Sequence, residues 1–229
     1  MIRLFSLADE KYYRYIKALV ASASIYFPDA YFNIYLVNMK DKYLKELESI
    51  NSKCTVIIEK KIFDNDHKKR CYCASRRGYL FIELRNKYPN DHLVWVDADS
   101  VFMKNADSFK KHILSCDVSM RPKDLLKGKF TSAVIVSGPK SIEFFKTYSR
   151  YINDHKEEYN WYNDQHMLNK TYVELKDKIN FKPLPKIFCD AWHSDEGVLW
   201  MTKGVATGSK KRDYTKYLKE VEKWINYKK

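Results

Sequence analysis

The chain has 229 residues, of which 45% are apolar, enough for one sizeable core and too many for a disordered chain. With 42 Lys and Arg against 29 Asp and Glu the formal charge is +13, which favours anionic partners: phosphates, nucleic acid or acidic membrane surfaces. No apolar stretch approaches the roughly 20 residues of a transmembrane helix, and the five cysteines, odd in number and without a Cys-x-x-Cys pair, suggest neither a zinc site nor a disulfide framework.

Ile2 to Ser6 reads as a first strand, without the charged region, apolar core and cleavage site of a signal peptide, so a reducing, cytoplasmic compartment is expected. From Asp9 to Ser24, Tyr12, Ile16, Leu19 and Ala23 recur at helical spacing. Tyr31 to Val37 is a second strand, Asp41 to Asn51 a helix with Leu44, Leu47 and Ile50 inward, and Cys54 to Ile58 a third strand. A helix over 71–88, carried by Leu80, Phe81 and Leu84, leads into an apolar strand at Leu93 to Val96. Beyond residue 104 the pattern loosens to a helix near 106–115, short strands near 118–120 and 132–137, and a helix from 141 to about 155. Lys123 to Lys129 reads as a mobile loop. Residues 212–229 read as a basic amphipathic helix, with either Tyr217, Val221 and Trp224 or Tyr214, Leu218 and Ile225 on one face, which either packs back on residues 1–211 or lies on an anionic membrane. The alternation of strands and helices predicts a single α/β domain around a mostly parallel sheet with helices on its faces.

The strand at Leu93-Val94-Trp95-Val96 ends in Asp97-Ala98-Asp99. It lacks the polar alternation of a half-solvated strand, so both its faces are covered, and its two aspartates fall at the C-terminal edge where open α/β sheets bind ligands. Paired carboxylates suit hard cations such as Mn²⁺ or Mg²⁺, which complete their shells with water and phosphate oxygens. A metal-bound diphosphate is the natural guest. Asp-x-Asp by itself is also a common solvated turn, and Asp9 is equally well explained as a helix cap.

Taken in order, these segments resemble the GT-A fold nucleotide-sugar glycosyltransferases, above all the retaining family 8 type related to glycogenin and to lipopolysaccharide galactosyltransferases. The resemblance runs from residue 2 to about 204. Ser6-Leu7-Ala8-Asp9-Glu10-Lys11-Tyr12 is similar to the first strand and base-contacting segment of that family, which implies donor contacts at Leu7, Ala8, Asp9 and Tyr12. Asp97-Ala98-Asp99 is similar to its Asp-x-Asp, implying metal contacts at Asp97 and Asp99 and donor contacts at Asp97 and Ala98. Asn163-Asp164-Gln165-His166-Met167-Leu168-Asn169 resembles the segment at the sugar end of the donor, implying catalytic roles for Asp164 and Gln165. Trp192-His193-Ser194-Asp195-Glu196-Gly197, with Trp200-Met201-Thr202-Lys203-Gly204, resembles the closing His-x-x-Gly-x-Lys-Pro-Trp, although the glycine comes one residue later and Lys-Pro is absent. It implies His193 as a third metal ligand and Lys203 as a phosphate contact. Either Arg76 or Arg77 answers to the donor-contacting arginine of the family, and the sequence leaves both open. Thr131-Ser132-Ala133 stands where the family has Asn-Ser-Gly.

The resemblance implies transfer of a sugar from a nucleoside diphosphate, UDP by family default, to a glycan or lipid-linked acceptor, with Mn²⁺ or Mg²⁺ as cofactor and with retention of configuration. An inverting reaction would instead need a carboxylate base, for which Asp164, Asp190 and Asp195 are available. A bacterial or viral source is expected from the compact size. Two other classes compete. A sugar nucleotidyltransferase or pyrophosphorylase also uses acidic metal sites, but Leu7-Ala8-Asp9-Glu10 contains no phosphate-cradling glycine. A nucleic-acid-binding protein would suit the charge, but no recognised motif supports it and the basic residues are not gathered on one helix or arm, so no nucleic acid is expected.

Overall fold

The structure, a computed structural model, describes residues 1–155, 163–202 and 214–227. In chain order its strands are β1 (Ile2–Ala8), β2 (Tyr31–Val37), β3 (Cys54–Glu59), β4 (His92–Val96), β5 (Ser100–Phe102), β6 (Val118–Asp124), β7 (Lys129–Ser137), β8 (Phe181–Pro183) and β9 (Leu199–Met201). The helices are α1 (Tyr13–Tyr26), α2 (Asp41–Ile50), α3 (Asp66–Lys87), α4 (Asp107–Ile113), α5 (Ile142–Asp154), α6 (Asn163–Leu175) and α7 (Thr215–Ile225). The fold is α/β: a seven-stranded sheet of order β3-β2-β1-β4-β7-β6-β8 and a two-stranded sheet, β5-β9. β1 pairs with β2, β2 with β3, and β6 with β8 in parallel, while β6 and β7 form an antiparallel hairpin. Among the described residues no helix is long and apolar enough to cross a membrane.

Two compact units make up the chain: one comprises Ile2–Lys61, Val96–Lys111 and Pro185–Lys229, the other Met1, Ile62–Trp95 and His112–Leu184. In the first, every residue of β1 is buried, which its near-continuous apolar run Ile-Arg-Leu-Phe-Ser-Leu-Ala anticipates for a strand covered on both faces. Arg3 is tolerated there because its guanidinium lies 5.1 Å over the Tyr31 ring and reaches Asn33 Oδ1 at 3.4 Å. The small residues Ala18 and Ala21 of α1 leave room for Tyr217, Val221 and Trp224 of α7, and with Tyr15, Val101 and Trp200 these form one buried cluster. Burial of each large side chain there contributes about 1.5–3 kcal/mol. The face of α7 that the sequence offers to a membrane is therefore covered by the protein itself, with Tyr217 and Val221 at 0% exposure.

In the second unit, α3 and α5 approach closely at Gly78, where a Cβ would come within 3.1 Å of both Tyr148 and Ile152. Beside that contact the Phe81 and Phe145 rings stack at 3.8 Å. Two expectations are corrected here. The helix predicted over 71–88 begins five residues sooner, at Asp66, because Asn65 caps it by accepting from the Lys68 amide at 2.9 Å. Lys123 to Lys129, read as a loop, is the tip of the β6–β7 hairpin, with only 125–128 in the turn. The pairing of the two strands shifts register between Met120 and Arg121 and again between Pro122 and Asp124, so no regular alternation marks them in the sequence.

Candidate functional site

Leu93, Val94, Trp95 and Val96 are all at most 3% exposed, so β4 is the doubly covered strand that its composition predicts. It ends in the turn Asp97-Ala98-Asp99, from which β5 departs at once. β5 pairs antiparallel with β9, Ser100 opposite Met201, and this register carries Thr202 to Asp99, whose Oδ2 accepts from the Thr202 hydroxyl at 2.6 Å. The main-chain carbonyl of Asp99 accepts from the Tyr217 hydroxyl at 3.0 Å. Burial, and after it the charge of Asp97, pushes the Asp99 carboxyl up to about 7, against the pull of the Thr202 hydroxyl. A buried carboxyl whose ionisation is opposed by a neighbouring carboxylate is the electrostatic situation that a divalent cation relieves, so the acidic pair fits a metal.

His193 belongs to a turn built around Asp190. That carboxylate, at 0% exposure, accepts at Oδ1 from the Trp192 amide at 2.8 Å and at Oδ2 from the Ser194 amide at 2.8 Å and the Ser194 hydroxyl at 2.6 Å. Gly197 closes the turn where only a hydrogen fits, since a Cβ would stand 2.5 Å from the Trp200 indole nitrogen and 2.8 Å from Asp190 Oδ2. The turn holds His193 in the left-handed region, at φ 56°, and turns its ring inward. His193 Nε2 lies 2.9 Å from the Met201 carbonyl and donates to it. The ring stacks on Tyr217 at 5.3 Å and 21°, with Trp200 at 5.2 Å. Among the described residues no three His, Cys, Asp or Glu side chains form a group able to hold a metal ion, so Asp97, Asp99 and His193 are not gathered into one shell in this structure.

The first-strand residues belong to the same unit. Leu7 and Ala8 are buried at the end of β1, and Asp9 caps the short turn that follows by accepting from the Lys11 amide at 3.1 Å. The Tyr12 ring lies 6.1 Å from that of Tyr15, which stacks on Tyr217 at 6.3 Å. Tyr12, Tyr15, Tyr217 and His193 are thus consecutive members of one chain of ring contacts.

The second unit contains Arg76, Arg77, Asp164 and Gln165. Arg76 turns outward to a two-pronged bond with Glu83, at 2.6 and 2.9 Å. Arg77 turns inward: it donates to the Ser132 carbonyl at 2.6 Å, pairs with Asp164 Oδ2 at 3.5 Å and lies 4.9 Å over the Trp95 ring. Of the two arginines, then, Arg77 meets Asp164. Burial raises the Asp164 carboxyl above its ordinary range, and the opposing pull of Arg77 only partly offsets it. Gln165 Oε1 accepts from Lys123 Nζ at 2.7 Å, and Asn169, from the same motif, accepts from the Phe130 amide at 3.0 Å and anchors α6 to β7. Of the residues considered as inverting bases, Asp190 has both oxygens engaged and Asp195 is paired with Lys216 at 2.5 Å. Lys203 lies outside the described residues.

Sequence reasoning gave no place in the site to Thr202, Tyr217 or Lys123, Tyr217 entering only as part of the apolar face of the C-terminal helix. Thr202 and Tyr217 stand 103 and 118 residues from Asp99, and no local pattern announces such a contact.

No protein family and no curated protein matches the sequence. Solved structures do match. The galactosyltransferase LgtC, in complex with donor and acceptor sugar analogs, superposes with a TM-score of 0.69 at 12% identity, covering 98% of this chain and 95% of that one. The glycosyltransferase GlyE of Streptococcus pneumoniae TIGR4 gives 0.65 at 11% identity, and its apo form 0.61 at 12%, each covering 99% of this chain. The chain corresponds to only 60% and 64% of the length of those two. The fold is therefore the GT-A-type α/β fold of these glycosyltransferases.

Proposed function

We propose that this protein is a metal-dependent glycosyltransferase that moves a sugar from a nucleoside diphosphate, UDP in the first instance, to a glycan or lipid-linked acceptor with retention of configuration. The observation that carries the reading is the acidic pair: Asp97 and the buried Asp99 share one turn at the end of a doubly covered strand in a GT-A-type fold. Asp97 and Asp99 are the residues to hold Mn²⁺ or Mg²⁺, with His193 as the third group the sequence offers. When bound, the ion supplies positive charge to the diphosphate leaving group.

The chain's own residues then have separable tasks. Asp9 and Tyr12, at the end of β1 and in the turn after it, contact base and ribose, and Lys203 meets the phosphates. Arg77, anchored on the Ser132 carbonyl, keeps Asp164 in place by pairing with it. Gln165 and Asp164 orient the acceptor hydroxyl against the anomeric carbon, a positioning role in which small displacements cost large factors in rate. In a retaining reaction the acceptor attacks on the face the diphosphate leaves, the departing phosphate oxygen takes the proton, and no strong protein base is required. The engagement of Asp190 and Asp195 by other partners supports that choice.

Calorimetric titration of UDP into the protein tests the reading. Binding should require Mn²⁺ or Mg²⁺ and should vanish in Asp99→Asn with the circular dichroism spectrum intact. Equal affinity in the presence of EDTA refutes metal dependence.

A further inference from the structure

We propose that Tyr217, on the C-terminal helix, is a positioning residue for the donor site that sets both the Asp99 turn and the His193 ring. The inference rests on the reading above and goes beyond it, since α7 lies outside every motif that suggested the activity.

Tyr217 is fully buried in the cluster formed by α1 and α7, where a phenylalanine would fill the same space. Its hydroxyl costs free energy at such a position unless it is bonded, and it donates to the Asp99 main-chain carbonyl at 3.0 Å. That carbonyl belongs to the turn between β4 and β5, so the bond fixes the peptide plane from which the Asp99 side chain departs. The ring stacks with Tyr15, at 6.3 Å and 23°, and with His193, at 5.3 Å and 21°. Near-parallel stacking restricts rotation of the imidazole about its Cβ–Cγ bond. The preceding residue acts on the same turn, because Lys216 Nζ reaches the His193 carbonyl at 3.4 Å and Asp195 Oδ1 at 2.5 Å. Consecutive residues of α7 thus hold both the main chain of His193 and the face of its ring, and one of them also holds Asp99. A helix that served only to cover α1 would need the apolar contacts of Val221 and Trp224 and none of these polar ones.

The test is Tyr217→Phe, which keeps the ring and its stacking and removes only the hydroxyl, with Val221→Ala as the purely structural comparison in the same cluster. Thermal unfolding and the affinity for UDP in 1 mM Mn²⁺ are measured for each by calorimetry, and Mn²⁺ binding is followed separately by the electron paramagnetic resonance signal of the free ion. Tyr217→Phe is expected to weaken UDP–Mn²⁺ binding by about five- to tenfold, the loss of one buried hydrogen bond expressed as affinity. Val221→Ala is expected to lower the melting temperature at least as much and to leave the affinity within twofold. Wild-type affinity in Tyr217→Phe overturns the proposal, as does an equal loss of affinity in Val221→Ala, since the effect would then be one of stability. If the wild-type protein itself binds no UDP with Mn²⁺, the proposed function falls first and the role of Tyr217 falls with it.

Discussion

Replacing Asp190 tests whether the turn carrying His193 is held by charge or by shape. The carboxylate is fully buried and serves the Trp192 amide, the Ser194 amide and the Ser194 hydroxyl at 2.8, 2.8 and 2.6 Å. Hydrogen bonds to charged groups are worth about 1.5–3 kcal/mol each, but these share one acceptor and are not additive, so Asp190→Ala should cost about 3–4 kcal/mol. At roughly 2–4 °C per kcal/mol for a chain of this size, the melting temperature should fall by about 6–16 °C. Asp190→Asn is the sharper variant, because it preserves volume and the acceptor for Trp192 while setting an NH₂ donor against the two donors of Ser194. It should be nearly as damaging as alanine. The dependence on pH has a definite sign. Burial works to raise the Asp190 carboxyl, but the Ser194 hydroxyl and the two main-chain amides, with the charge of Lys186, hold it below its ordinary value of 3.8. A depressed folded value means that the stabilisation is present above 3.8 and is lost as the pH falls through the folded value. The difference in melting temperature between wild type and Asp190→Asn should therefore be full at pH 6 and shrink below pH 4. An Asp190→Asn protein within 2 °C of wild type at pH 6 would refute the argument and reduce Asp190 to a residue of the right shape.

Arg77→Met should destabilise the protein by about 3–5 kcal/mol in chemical denaturation, because it strands the buried Asp164 carboxyl. The double variant with Asp164→Asn should recover a substantial part of that loss, and a double variant no more stable than Arg77→Met would show the ion pair to be incidental. Gln165→Ala should lower kcat far more than it raises the KM for the donor, as befits a contact felt mainly in the transition state. Proton NMR of the first-formed product from an α-linked donor should show an α linkage, and a β linkage would overturn retention.

Local chemistry determined much of this protein. The apolar run from Leu93 to Val96 can be satisfied only by burial on both faces, so the position of Asp97 and Asp99 at a covered strand's end was legible from the residues themselves. Helical spacing in α1, α2 and α5 and the cap at Asp9 were legible for the same reason: propensity and periodicity act within a few residues. Tertiary structure alone decided the rest. Arg76 and Arg77 are equivalent in sequence, but adjacent positions on a helix point roughly 100° apart, so packing sent one to Glu83 and the other to Asp164. Asp190 has the composition of a general base and became an anchor, because the main chain of residues 192–194 folds back on it. Thr202 and Tyr217 reach Asp99 only through the pairing of β5 with β9 and the packing of α7 on α1. Contacts between residues about a hundred positions apart are set by which surfaces bury each other best, a property of the whole core that no single segment encodes.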